Sequence, residues 1–133
     1  MTARRPKILV VDDNDALREN LVECLDGEGY QVSEARDGHA ALALLEAGPL
    51  PDVVLVDMMM PGMNGTELVS RIRAEPRLAG LRLVLSTGMA PPRDTVAADA
   101  VLTKPFGVAE LLASVRPGAA VAAASSADPG DPA

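Results

Sequence analysis

Aromatic residues are nearly absent from this 133-residue chain, which has one Tyr, one Phe and no Trp. Its core must therefore be built from aliphatic side chains and methionine. A single cysteine excludes a disulfide framework. No apolar run approaches the length of about 20 residues that a membrane-spanning helix needs. The basic start, Met1 to Lys7, precedes only four apolar residues, too few for a signal peptide. These absences predict a cytoplasmic protein without a membrane partner.

Positive charge is also scarce, since the net charge is −7 and only Lys7 and Lys104 are lysines. Without a basic stripe, the sequence predicts a protein partner and no binding of nucleic acid. The length and the hydrophobic fraction of 48% are those of one globular domain.

Segments with strand and helix patterns alternate along the chain. The predicted strands are Lys7–Val11, Gln31–Ala35, Val53–Asp57, Leu81–Thr87 and Ala100–Thr103. The first predicted helix is capped by Asn14 or Asp15 and runs to about Glu28. The others run from about His39 to Ala47, Thr66 to Ala74 and Val108 to Arg116. This order predicts an α/β domain over residues 7–117 with a doubly wound parallel sheet. Residues 1–6 are a predicted tail, and residues 118–133 have the composition of a disordered one.

Acidic residues end two of the predicted strands. Asp12 and Asp13 follow the first apolar run, and Asp57 ends the third. These runs lack polar alternation, as do strands that are covered on both faces. Ligands of open α/β sheets bind beyond the carboxyl ends of the strands. The sequence therefore predicts three carboxylates in one crevice, where they form a divalent-cation site with a potential nucleophile.

A hydroxyl and a lysine lie at two further strand ends of this predicted edge. Thr87 ends the fourth strand, and Lys104 follows the fifth. A hard cation such as Mg²⁺ takes oxygen ligands, a carboxylate can attack phosphorus, and an ammonium or a hydroxyl offsets the charge on the transferring group. A strand-end Asp alone often only caps a helix. The combination of the four strand ends favours phosphoryl transfer.

The chain resembles the receiver domains of two-component response regulators. The matching segments are Ile8 to Asp13, Asp57 to Gly65 with the pattern Asp-x-x-Met-Pro-x-Met-x-Gly, Ser86 to Gly88, and Lys104 to Phe106. The resemblance extends over about Lys7 to Arg116 and implies a flavodoxin-like (βα)5 fold with strand order 2-1-3-4-5. It makes Asp57 the acceptor of a phosphoryl group from the phosphohistidine of a histidine kinase or a phosphotransfer protein.

The same resemblance implies roles for the other site residues. The Mg²⁺ ligands become Asp13, Asp57 and the backbone carbonyl of Met59, with Asp12 acting directly or through a water molecule. Thr87 and Lys104 become the phosphate-binding hydroxyl and ammonium, and the Lys104–Pro105 peptide is expected to be cis. Such a protein is not an ordinary enzyme, because its only chemistry is self-catalysed phosphoryl transfer and autodephosphorylation.

Two features depart from the family pattern. The connection from Met89 to Asp99 is short and contains Pro91-Pro92, which cannot lie inside a helix, so the fourth helix is predicted to be shortened. Val101 stands where the family often has Tyr or Phe. Because Val101 cannot act as a rotating ring, we hypothesise that phosphorylation orders the 89–99 connection in place of shifting a helix.

The preferred interpretation is a single-domain regulator that signals to an unidentified downstream protein. The Met1 start and the low-complexity tail favour a free protein over the alternative, the C-terminal receiver of a hybrid histidine kinase. A non-phosphorylated scaffold would have no need of the complete set of site residues. An aspartyl phosphohydrolase of the haloacid-dehalogenase type needs a second Asp two residues after the nucleophile, where this chain has Met59.

Overall fold

Five parallel strands form the central sheet of the protein. The structure is a computed structural model that describes residues 5–88 and 97–116. The strands are β1 (Lys7–Val11), β2 (Gln31–Ala35), β3 (Val53–Asp57), β4 (Arg82–Thr87) and β5 (Ala100–Thr103). They pair in the order 2-1-3-4-5, and every pairing is parallel. The helices within the described ranges are α1 (Asp15–Gly27), α2 (Gly38–Ala47), α3 (Gly65–Ala74) and α4 (Val108–Val115). The predicted flavodoxin-like sheet order is confirmed.

Side-chain caps fix where three of the helices begin. Asn14, Asp37 and Asn64 each accept a hydrogen bond from the backbone N–H three residues further on. Such a cap satisfies an N–H group that has no partner inside the helix. As a result, α2 and α3 begin at Gly38 and Gly65, one residue before the starts predicted from the sequence.

The sheet is covered on both faces. One core forms where α2 and α3 pack against it, and a second forms beneath α1 and α4. Every residue of β3 is buried, as its uninterrupted apolar run predicts. Because β1 and β3 are neighbours at the centre of the sheet, the residues that end them share one edge.

Some predictions fall on residues 1–4, 89–96 and 117–133, which lie outside the described residues. They include most of the N-terminal tail, the C-terminal tail, the shortened fourth helix and the ordering of the 89–99 connection. In the part of the chain that the structure describes, no helix combines the length and the apolar character needed to cross a membrane.

Arg73, near the end of α3, ties together the segments around β4 and β5. Its Nη2 lies 2.8 Å from Oδ2 of Asp99, and the same carboxylate oxygen accepts the backbone N–H of Leu83 at 2.8 Å. The guanidinium also donates to the backbone carbonyls of Ala79, Leu81 and Ala97 at 2.8, 2.8 and 3.0 Å. The Arg73 side chain therefore donates hydrogen bonds to carbonyls of the connections that lead into β4 and β5.

We expect Arg73→Met to lower the free energy of unfolding by about 2 to 3 kcal/mol, because it removes several hydrogen bonds that involve a charged group. Urea denaturation would measure the change. Arg71→Met is the control, since its guanidinium is half exposed and lies 3.6 Å from Glu67, a surface pair that contributes about 0.5 kcal/mol. Equal stabilities of the two variants would contradict this role of Arg73.

Candidate functional site

Three carboxylates meet beyond the carboxyl ends of β1 and β3. Val11 pairs with Val56 in the sheet, so Asp12 and Asp57 follow neighbouring positions. Oxygen atoms of Asp12, Asp13 and Asp57 all lie within 4.8 Å of one another. Asp12 and Asp57 are 2% and 5% exposed, whereas Asp13 is exposed. The predicted crevice is therefore present, with one of its carboxylates open to solvent.

Lys104 reaches into this cluster from the strand at the edge of the sheet. Its Nζ lies 2.8 Å from Oδ1 of Asp57, and its backbone N–H donates to the carbonyl of Thr87 at 2.7 Å. The Lys104–Pro105 peptide bond is cis, as the resemblance implies. The ammonium thus pairs with the carboxylate that was predicted to be the nucleophile.

Thr87 and Met59 lie close to the ends of β4 and β3. Thr87 is the last residue of β4 and is fully buried. Asp57 pairs with Ser86, so Thr87 lies one residue beyond the level of Asp57 on the adjacent strand. Met59 follows β3 by two residues, and 60% of its surface is exposed. The roles of the Thr87 hydroxyl and the Met59 carbonyl remain predictions.

Gly65 allows α3 to begin directly against the end of β3. A Cβ at this position would lie 2.5 Å from the backbone oxygen of Asp57 and 2.7 Å from Cα of Met58. The N–H of Gly65 donates to the carbonyl of Met58 at 2.8 Å. This close approach closes the loop after β3 and requires glycine. Gly65 ends the Asp-x-x-Met-Pro-x-Met-x-Gly pattern, but the sequence does not reveal this contact.

Burial raises the pKa of the Asp12 carboxyl, and the charges of Asp57 and Asp13 raise it further. The backbone N–H of Asn14 and the ammonium of Lys104 act in the opposite direction without cancelling the effect. Three crowded carboxylates face one ammonium, which leaves excess negative charge on hard oxygen atoms. This donor set is typical of a Mg²⁺ site.

The raised pKa of Asp12 predicts a pH-dependent effect of Asp12→Asn. The folded state retains this proton to a higher pH than the unfolded chain, so the wild type loses stability as the pH rises from 3.8 through the raised pKa. Asparagine removes this loss and keeps an oxygen that can accept the Asn14 N–H. In the absence of metal, we expect the variant to be more stable than the wild type at neutral pH, with a difference that shrinks toward pH 3.8. Denaturation in EDTA over this range tests the prediction, and a constant difference would contradict it.

The parallel sheet, with acidic residues and a lysine at its carboxyl edge, defines a flavodoxin-like domain with an acidic pocket. Residues 8–116 match the family model of the response regulator receiver domain, so the chain belongs to that family. Members of this family act in two-component signalling, where histidine kinases phosphorylate them. They are phosphoacceptors and not enzymes of the ordinary kind.

Comparison with individual proteins of known sequence or structure agrees with this family assignment. The chain is 39% identical over 121 residues to the DNA-binding response regulator MtrA of Mycolicibacterium smegmatis, covering 87% of this chain and 51% of MtrA. It thus spans about half the length of the curated relatives it matches. The structure of CheY4 from Vibrio cholerae is 32% identical, with a TM-score of 0.76 and coverage of 82% and 94% of the two chains. TrrA of Thermotoga maritima, solved in complex with Mg²⁺–BeF, is 36% identical, with a TM-score of 0.72 and coverage of 80% and 92%.

Proposed function

We propose that this chain accepts a phosphoryl group on Asp57 from the phosphohistidine of a histidine kinase or a phosphotransfer protein. The observation that carries the proposal is the meeting of three carboxylates within 4.8 Å, with the Lys104 ammonium 2.8 Å from Asp57. A relative crystallised with Mg²⁺–BeF supports a Mg²⁺-dependent site. We further propose that the transfer takes place in the cytoplasm.

The proposed reaction is a displacement at phosphorus. An oxygen of the Asp57 carboxylate forms a bond to phosphorus while the phosphorus–nitrogen bond breaks, and the imidazole leaves with the bonding electrons. The Lys104 ammonium stabilises charge on the transferred group, and the Thr87 hydroxyl donates a hydrogen bond to it. Mg²⁺, held by Asp12, Asp13, Asp57 and the Met59 carbonyl, would neutralise charge on the phosphoryl oxygens.

We also propose that the signal passes to a downstream protein through direct contacts. The net charge of −7 supports a protein partner, because the phosphates of a nucleic acid would repel an acidic surface. The C-terminal receiver of a hybrid kinase would use the same site chemistry. Pull-downs with and without a phosphate mimic would test the output, and a partner set that is unchanged by the mimic would contradict it.

Phosphoramidate offers a direct test of the phosphoryl transfer, since its phosphorus–nitrogen bond is of the kind found in phosphohistidine. We expect the purified chain to gain one phosphate in the presence of Mg²⁺ and none in EDTA, as measured by intact mass. A chain that gains no phosphate with Mg²⁺ would contradict the proposed function.

The ammonium of Lys104 is expected to affect the rate strongly. We predict that Lys104→Met slows phosphorylation by roughly 100-fold, because one donor that stabilises the transferring charge is lost. Lys7→Met is the matched control, since this other lysine begins β1 at the opposite end of the sheet. The time course of phosphate uptake measures both rates, and equal rates in the two variants would refute the role of Lys104.

A further inference from the structure

Arg18 is the fourth residue of α1 and uses its guanidinium to join three elements. Its Nη1 donates to the backbone carbonyl of Asp12 at 2.7 Å, Nε to Glu34 of β2 at 2.9 Å, and Nη2 to Asp15 at 2.7 Å. The Arg18 side chain is 13% exposed, whereas those of Glu34 and Asp15 are 47% and 76% exposed. The two carboxylates therefore fix the direction of the guanidinium from the solvent side.

The two carboxylates favour a cation at this position. The same guanidinium bonds to the backbone of Asp12, one of the three carboxylate residues of the candidate metal site. Arg18 therefore links the surface of α1 and β2 to the backbone of that site.

The contact between Arg18 and Asp12 holds the peptide group that joins Asp12 to Asp13. Asp12 lies just past the end of β1, where its N–H still donates to the carbonyl of Ala35 at 3.1 Å. Its carboxylate accepts the N–H of Asn14 at 2.9 Å, and its carbonyl accepts the guanidinium. Since the peptide group is planar, fixing its carbonyl restricts the backbone dihedral angles on both sides of it, and these angles set where the Asp12 and Asp13 side chains leave the backbone.

We propose that Arg18 is a positioning residue of the metal site, which orients the Asp12 and Asp13 carboxylates through the Asp12 carbonyl. This inference rests on the proposed function, because it assumes that the two carboxylates bind Mg²⁺. Groups that orient metal ligands from outside the coordination sphere typically change metal affinity by about 10- to 100-fold when they are lost.

The direction of the effect separates positioning from simple charge. Removal of a cation close to a cation-binding site should tighten Mg²⁺ binding if Arg18 acts only through its charge. Loss of positioning should weaken the binding instead. Arg36→Ala is the charge-matched control, because Arg36 is exposed and directly follows Ala35, the backbone partner of Asp12.

The experiment titrates Mg²⁺ alone into the wild type and the variants and follows their amide NMR spectra, which also show whether each variant is folded. We expect Arg18→Ala to bind Mg²⁺ at least about tenfold more weakly, and Arg36→Ala to bind it as tightly as the wild type or more tightly. Arg18→Lys keeps the charge but lacks the fork of donors, so we expect a severalfold loss in this variant.

If Arg18→Ala fails to fold, Arg18→Lys still tests the positioning role of Arg18. Wild-type affinity in Arg18→Lys, or an unchanged or tighter affinity in Arg18→Ala, overturns the positioning role while leaving the proposed function intact. If the wild type shows no Mg²⁺-dependent shifts around Asp12, Asp13 and Asp57, the proposed metal site fails and the inference fails with it.

Discussion

Asp57→Asn is expected to abolish phosphorylation of the chain completely. Asparagine has nearly the shape of aspartate, but its neutral amide oxygen is too weak a nucleophile to displace the leaving group at phosphorus. Among the described residues, Asp57 is the one carboxylate of the cluster that pairs with an ammonium, that of Lys104. We therefore expect no phosphate in this variant after incubation with phosphoramidate and Mg²⁺, as measured by intact mass.

The control for this substitution is Asp26→Asn, which makes the same chemical change at a side chain that is 70% exposed and lies outside the cluster. It should gain phosphate as the wild type does. Phosphate uptake at the wild-type level in Asp57→Asn would show that another residue is the acceptor.

Asp13→Ala should give the second large effect, because it removes the solvent-exposed carboxylate of the cluster. A bound metal stabilises transferring charge by several kcal/mol, so we expect phosphorylation to slow by roughly 100-fold or more. Mg²⁺ affinity, measured by NMR titration, should fall in parallel. In the metal-free protein, the loss of one crowded charge should raise stability, and this gain should shrink when Mg²⁺ is added to both proteins.

Glu19→Ala is the matched control for this prediction, since it removes one negative charge from an exposed position on α1, away from the cluster. It should leave both the rate and the affinity close to those of the wild type. Full phosphorylation rate in Asp13→Ala would refute its assignment as a metal ligand.

The sheet could be predicted from the sequence because its strands are short apolar runs with clear boundaries. The bounds of β1, β2, β3 and β5 are those predicted, and the sheet order follows the family resemblance. The starts of α2 and α3 were each misplaced by one residue. The predicted helices leave out Gly38 and Gly65, but the caps at Asp37 and Asn64 make each of them the first residue of a helix.

The gathering of the carboxylates could be predicted because the ends of adjacent parallel strands must meet at one edge. The contacts that hold these carboxylates in place could not be predicted from the sequence. The close approach of Gly65 to Asp57 depends on how α3 docks on β3. The bond from Arg18 to the Asp12 carbonyl depends on Glu34, which belongs to another element. From its helical position alone, Arg18 is indistinguishable from an exposed surface cation.

Locating the phosphoryl group in the wild-type chain tests the central claim most directly. Borohydride reduces an aspartyl phosphate to homoserine, so peptide mapping after phosphorylation and reduction identifies the residue that carried the phosphate. The proposed site predicts homoserine at position 57 alone, and only after incubation with Mg²⁺. Homoserine at position 12 or 13, or phosphate uptake with aspartate unchanged at position 57, would contradict the assignment of Asp57 as the phosphoacceptor.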